Sequence, residues 1–187
     1  MGFFERNRQQ LVEKGIDPTR LPPGQYVTDR FPVLHVGDVP RYEPGTWNLV
    51  INGLVEREVT VDLEQLKALT ATTITTDIHC VTKWSKFDTV WTGVRVTDLF
   101  ALAGVRAEAT HVVAHAEFGY SANLPLADVV RDESMVVYAY NGEDIEAIHG
   151  GPVRLLVPHL YFWKSPKWLR GLELRADDSP GFWEQNG

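Results

Sequence analysis

The sequence predicts an α+β fold, mostly β, in which a mixed sheet is accompanied by a few short helices. Three observations carry this expectation. Short β-branched or aromatic runs recur along the chain, and turn residues such as Asn52-Gly53 and Asn141-Gly142 close them. After the first helical stretch, the remaining ones are only a turn or two long and carry their own capping residues. Strands do not alternate with long helices as a doubly wound sheet requires.

Taken in order, Phe4 to Lys14 has helical composition and is stopped by Gly15 and Pro18. Pro18 to Pro44 holds six prolines, too punctuated for long elements. Its Tyr26, Phe31, Val33, Leu34 and Val36 are costly to leave in water, so residues 1–45 read as an ordered wrap. Thr46 to Asn52 alternates as a strand and turns at Asn52-Gly53 into a partner around Glu58 to Val61. Asp62 caps a short helix, with Gln65 completing a capping box and Leu63, Leu66 and Leu69 on the inner side. Thr72 to Ile78 is a strand delivering Cys80 at its end. Asp77 to Gly93, with no regular apolar period, reads as the lip of a pocket rather than a core strand. Thr97 caps a second short helix through Leu102, stopped by Gly104. Thr110 to His115 is a strand, Leu124 to Val130 a turn or short helix after Pro125, and Ser134 to Tyr140 a strand ended by Asn141-Gly142. Pro152 to Val157 and Trp168 to Leu174 complete the strands, and residues 176–187 form an acidic, loose tail.

The 187 residues suffice for one domain with a real core, without disulfides or structural metal. The opening MGFFERNRQQ has no apolar stretch of the length a secretion signal or membrane helix needs, so the expected place is a reducing cytoplasm, without membrane insertion. A formal charge of -7 argues against nucleic acid as a partner. From His149 to Arg175, however, five cations face Glu173 alone, a local balance of +4 that leaves -11 for the rest of the chain. A basic island on an acidic protein suggests one small anionic ligand.

Two stretches carry chemistry. The first, DIHCVTKWSKFDTVWTG, contains the single cysteine, Cys80. One thiol forms no internal disulfide, which leaves a buried small hydrophobe, a reactive thiolate or a ligand. A cysteine hydrolase is disfavoured, since no histidine is singled out by spacing and no helix N-terminus follows the thiol. Zinc pairings such as CxxC or HExxH are missing, as are GxGxxG and GxxxxGKS nucleotide loops. The second stretch is HGGPVRLLVPHLYFWKSPKWLRGLEL. Arg154 is the one charge inside the apolar run PVRLLVP and must be paired. Lys164 and Lys167 flank Ser165 in a loop set among Tyr161, Phe162, Trp163 and Trp168, so these groups can converge on a phosphate.

Together, HCVTKWS, the following WTG, HGGPVR and KSPKWL resemble the sulfite oxidase family of molybdenum enzymes, and its single-domain branch that includes the catalytic subunit of bacterial methionine sulfoxide reductase. The match runs from Trp47 to Leu174. It implies a sulfite-oxidase-type molybdopterin-binding fold with molybdenum held by one pterin dithiolene and by Cys80. It further implies cofactor contacts from His149, Arg154, Ser85, Lys164, Ser165, Pro166 and Lys167, from Arg30, Phe31 and His35 in the wrap, and from Glu117 and Tyr120. Lys83, Trp84, Trp91 and Tyr161 become candidates for the substrate funnel. The arginines that bind sulfite in true sulfite oxidases have no convincing counterparts here, and the loop after Cys80 is shorter, so the implied reaction is a two-electron oxygen-atom transfer on a small substrate that is not clearly sulfite. The haem and immunoglobulin-like domains of the animal enzymes are also missing from these residues, which implies a separate electron-transfer partner. The rival is a non-catalytic module of the same fold that binds the cofactor or another anion through the island from Arg154 to Lys167.

Overall fold

The computed structural model describes residues 2–43 and 45–187; Met1 and Pro44, both within the predicted wrap, lie outside the described residues. Helix α1 (Phe3–Glu13) ends as Gly15 turns the chain with φ +70°, the left-handed conformation that glycine adopts without cost. The arm then runs through a 3₁₀ turn at Pro18–Arg20 into the two-residue strand β1 (Tyr26–Val27). Arg20 anchors it with a forked pair of contacts to Asp77, at 2.8 and 2.7 Å.

Strands β2 (Asn48–Gly53) and β3 (Val59–Asp62) pair antiparallel across the predicted turn. Asp62 then caps α2 (Leu63–Ala68) through the predicted capping box with Gln65. Strand β4 (Thr72–His79) leads to Cys80, and a tight turn returns the chain as β5 (Trp84–Arg95). The pocket-lip reading holds for Cys80, Val81, Thr82 and Trp84, which line a cavity, and fails beyond them, where this twelve-residue strand continues. Its buried positions alternate from Thr89 through Trp91 to Gly93, but a threonine and a glycine hold two of them, which hid the period. Gly93 is required there, since a Cβ would stand 2.2 Å from the Val136 carbonyl of the neighbouring strand.

Helix α3 (Val96–Ala103) is capped by Arg95 without a side-chain bond, so Thr97 lies inside the helix rather than at its cap. Strand β6 (His111–Ala116) pairs with β7 (Ser121–Pro125), a strand the sequence reading did not resolve, before α4 (Leu126–Val129). Strands β8 (Met135–Tyr140), β9 (Glu143–Asp144), β10 (Arg154–Leu156) and β11 (Leu169–Arg175) follow. The supposedly loose tail instead folds as α5 (Phe182–Asn186), with Phe182 against Tyr120 at 5.5 Å between ring centres.

Two mixed sheets result. One has the order β3-β2-β11-β6-β7; in the other, β5 pairs with β4 on one edge and with β1 and β8 on the other, and β8 continues to β10 and β9. Because β10 is flanked by both cores, its side chains divide by alternation. Val153, Leu155 and Val157 enter the larger core, with Leu49, Leu99 and Leu172. Leu156 enters a smaller, aromatic cluster with Cys80, Trp84, Trp91 and Phe162, and Arg154 is on that same face. The strand thus delivers a guanidinium into the cluster that also holds the thiol.

Candidate active site

The two sequence constellations meet at one cavity of about 320 Å³, whose wall includes Cys80, Arg154 and the segment Ser165 to Trp168. Its sulfur side is the turn between β4 and β5. The Cys80 amide donates to the Trp84 carbonyl at 2.9 Å, and the Lys83 amide donates to the Cys80 carbonyl at 3.0 Å. Closing so short a turn puts Lys83 at φ +72° and leaves its side chain exposed. Cys80 is 8% exposed and accepts a hydrogen bond on Sγ from the Thr82 hydroxyl at 3.1 Å. Trp84 lines the cavity, and its buried indole N–H has no partner among the described residues.

The opposite side is built from cations. Arg154 is 1% exposed, yet among the described residues no carboxylate is paired with it. It donates to the carbonyls of His149 and Ser165, each at 2.7 Å, and Phe162 lies 4.0 Å from its guanidinium carbon. Nε has no partner. Burial pushes this guanidinium down to about 9, against the opposing pull of Tyr120 and Cys80, so it keeps its charge at neutral pH. Lys167 is pushed down to about 7, by burial and then by the Arg154 charge, while donating to the Ile148 carbonyl at 2.8 Å. Burial, and then the Lys167 charge, holds the His149 imidazole below its ordinary value, and its Nδ1 is also unpartnered among the described residues. Gly150, at φ +108°, lets the chain pass this close: a Cβ there would sit 2.9 Å from that of Lys167.

The arm before β2 covers the cavity. Phe31 stacks on His149 with 4.1 Å between centres and 9° between planes, and His35 approaches Trp168 edge-on. Both line the cavity, as do Tyr120, Ser165, Pro166 and Lys167. Tyr120 donates to the Trp163 carbonyl at 2.8 Å, and burial pushes its phenol up to about 12.

Several predicted site residues are not on the cavity wall, among them His149, whose ring lies against Phe31. Trp91 is fully buried behind it, packed on Phe31 and Tyr140. Lys83 and Tyr161 are exposed and do not line it, so of the expected funnel only Trp84 does. Ser85 sits behind the turn, its hydroxyl donating to Gln25. The 3₁₀ turn at Phe162–Lys164 carries Lys164 away to Asn123 and Glu184. Glu117 meets Tyr42 and Arg170 instead, and Arg30 is exposed outside the wall. The sequence reading missed Thr82, Gln25 and Trp183. An adjacent Phe182-Trp183 pair in an acidic tail was the available signal, since two such rings are costly to leave in water.

Among the described residues that line the cavity, none is Asp or Glu. No helix among the described residues is long and apolar enough to cross a membrane. The arrangement offers a soft sulfur donor and a desolvated pair of cations to one anionic guest.

Comparison with known proteins places this site in context. The model of the oxidoreductase molybdopterin binding domain matches residues 36–183. The uncharacterized oxidoreductase YuiH of Bacillus subtilis is 52% identical over 169 residues, covering 90% of this chain and 85% of that one. A putative protein-methionine-sulfoxide reductase subunit, YedZ1 of Azospira oryzae, is 27% identical over 177 residues, 91% of this chain and 67% of its own. Among solved structures, the sulfane dehydrogenase SoxCD from Paracoccus pantotrophus superposes with a TM-score of 0.71 at 25% identity, covering 78% of this chain and 42% of that one. A match of that extent, joined to a relative identical at more than half of its aligned positions, means that this chain is an oxidoreductase of the sulfite oxidase family and belongs to the oxidoreductase molybdopterin binding domain.

Proposed function

We propose that the protein, acting as a single domain, holds molybdenum on one pterin dithiolene with Cys80 as its protein ligand, and transfers an oxygen atom to or from a small substrate other than sulfite. The observation that carries this reading is Arg154: a fully buried guanidinium with an unpaired Nε, on a wall without carboxylates, in the same cavity as the only cysteine. A buried charge without a counter-charge is costly, and an anionic guest removes that cost. The unpaired Nε1–H of Trp84 gives a further donor on the wall, and the unpaired Nδ1 of His149 is a further polar atom behind it.

The residues present fit the group. Arg154, Lys167 and the Ser165 to Lys167 backbone would hold its phosphate end, Phe31 and His149 would flank it, and Cys80 would hold the metal. When bound, the group supplies a two-electron redox couple for oxygen-atom transfer, chemistry beyond any side chain. The chain's own part is to orient and to exclude water. Arg154 and Lys167 gain strength as charge partners because they are desolvated. Thr82 withdraws density from the Cys80 sulfur by donating to it. Leu34, Val81 and Trp183 line the cavity while staying exposed, which gives it an apolar mouth. Arg154 is the sole arginine on the wall among the described residues, and it is engaged with two carbonyls. An uncharged substrate is therefore favoured over a dianion, whose desolvation would go unmatched. Electrons then pass to or from a separate carrier.

The test is metal analysis and fluorescence of acid-released pterin on the purified protein, followed by dithionite reduction and reoxidation by a small sulfoxide or N-oxide. Turnover with the sulfoxide and weak turnover with micromolar sulfite are expected. Robust sulfite oxidation with an artificial acceptor overturns the substrate reading, and protein free of molybdenum and pterin after expression with both available overturns the cofactor reading.

A further inference from the structure

We propose that Gln25 is a positioning residue for Cys80, an inference that rests on reading Cys80 as the metal ligand. Gln25 lies before the matched segment 36–183 and is 3% exposed. Both ends of its carboxamide are used. Nε2 donates to the Cys80 carbonyl at 3.1 Å, and Oε1 accepts the Ser85 hydroxyl at 2.5 Å. The orientation follows from the partner, because only the nitrogen end of an amide can face a carbonyl oxygen favourably.

Ser85 Oγ also lies 2.8 Å from Nδ1 of His79. Since the one hydroxyl proton of Ser85 goes to Gln25, His79 must donate, which fixes its Nδ1–H tautomer. A directional chain thus runs from His79 through Ser85 and Gln25 to the Cys80 carbonyl. His79, Ser85 and Cys80 belong to the strand ends around the turn, whereas Gln25 comes from 55 residues away. The arm does not need Gln25 for attachment, since the amides of Tyr26 and Thr28 already donate to the carbonyls of Lys83 and Ser85, each at 2.9 Å. An apolar side chain would fill the same buried space without the cost of burying an amide. What the amide adds is a second hydrogen bond on the Cys80 carbonyl, beside that from Lys83, and two bonds from different directions fix the peptide plane that aims Cβ and Sγ.

The experiment uses cofactor-free protein and measures alkylation of Cys80 by iodoacetamide across low urea concentrations, for wild type, Gln25→Met and Ser85→Ala. If Gln25 positions the turn, Gln25→Met is alkylated about three- to tenfold faster, with a rate insensitive to low urea because the opening is local. Ser85→Ala, which frees one end of the amide, shows a smaller rise of the same kind and decides the matter if Gln25→Met does not fold. Rates equal to wild type, or rising only in step with global unfolding, overturn the proposal and reduce Gln25 to a packing residue. X-ray absorption on the loaded wild type separates the two readings: absence of a protein sulfur at the metal overturns Cys80 as ligand, whereas unchanged alkylation alone overturns only Gln25.

Discussion

The two sides of the cavity are finished to different degrees. At the turn between β4 and β5, the amide, carbonyl and sulfur of Cys80 all have partners, and the unmet donor beside them is the Trp84 indole. On the cation side, Arg154 and His149 each keep an unpaired buried nitrogen, and Lys167 is pushed down to about 7. The contrast is that the chain alone satisfies the backbone and sulfur of Cys80 but leaves buried nitrogens unpaired on the cation side, which on the function proposed above an anionic guest would complete. The two halves should therefore fail differently when altered.

The largest effect is expected at the finished half. Replacing the sulfur of Cys80 by a hydroxyl leaves the backbone bonds of the turn in place, so Cys80→Ser should fold and keep its pterin while oxygen transfer falls by about a hundredfold or more. The measurement combines pterin content, thermal unfolding and turnover on one preparation with a count of metal-bound sulfurs, where one fewer is expected. An unchanged count with normal turnover rejects Cys80 as the ligand. The unfinished half should show the opposite pattern. Arg154→Gln removes a charge-assisted contact and should weaken cofactor retention about ten- to a hundredfold, giving folded but mostly empty protein; normal pterin content would count against the anchor.

A smaller effect follows from Lys167. Its folded value of about 7 lies below the ordinary 10.5 of an unfolded lysine. Below about pH 7 both states are protonated and the cost of burying the charge is felt in full. As pH rises from there toward 10.5, the unfolded chain holds a proton that the folded one has released, so the cofactor-free protein becomes more stable. Arg154 acts in the same direction only above about 9. Unfolding midpoints of the cofactor-free protein should thus climb between about pH 6.5 and 8.5, and the climb should be lost in Lys167→Met. A bound anion should flatten the profile by keeping the lysine charged. A wild-type profile parallel to that of the variant breaks the contrast between the two halves.

Much of this was legible in the sequence, for reasons that can be named. The Asp62–Gln65 box and the strand ending at Cys80 are local signals, decided within a few residues. Arg154 was visible because a charge inside PVRLLVP contradicts its neighbours, and burial of that charge is what the structure shows. What escaped depends on contacts that composition does not encode. Lys164 and Lys167 look equivalent in KSPK, yet the turn at Phe162–Lys164 sends one to Glu184 and leaves the other on the cavity. The arm's hold on Cys80 spans 55 residues. Strand β5 was concealed because Thr89 and Gly93 occupy inward positions that a hydrophobic pattern assigns to apolar residues.

The finest test of the contrast concerns Thr82, whose hydroxyl stands 3.1 Å from the Cys80 sulfur. An O–H donor withdraws electron density from a ligating sulfur, so its loss makes the sulfur a stronger donor and lowers the potential of the metal it binds. Valine nearly matches threonine in shape, and Thr82 is exposed, so Thr82→Val should cost little stability. Turnover should change about three- to tenfold, the size of one ordinary hydrogen bond, with pterin content and sulfur count as in wild type. The decisive readout is a redox titration of the loaded protein beside Arg154→Lys, which keeps the charge but loses the fork. A lower potential is expected for Thr82→Val with full cofactor, and lower cofactor content with little change in potential for Arg154→Lys. If both variants moved retention and neither moved the potential, the turn would be ordinary packing around the cofactor, and the division of labour between the two sides would be wrong.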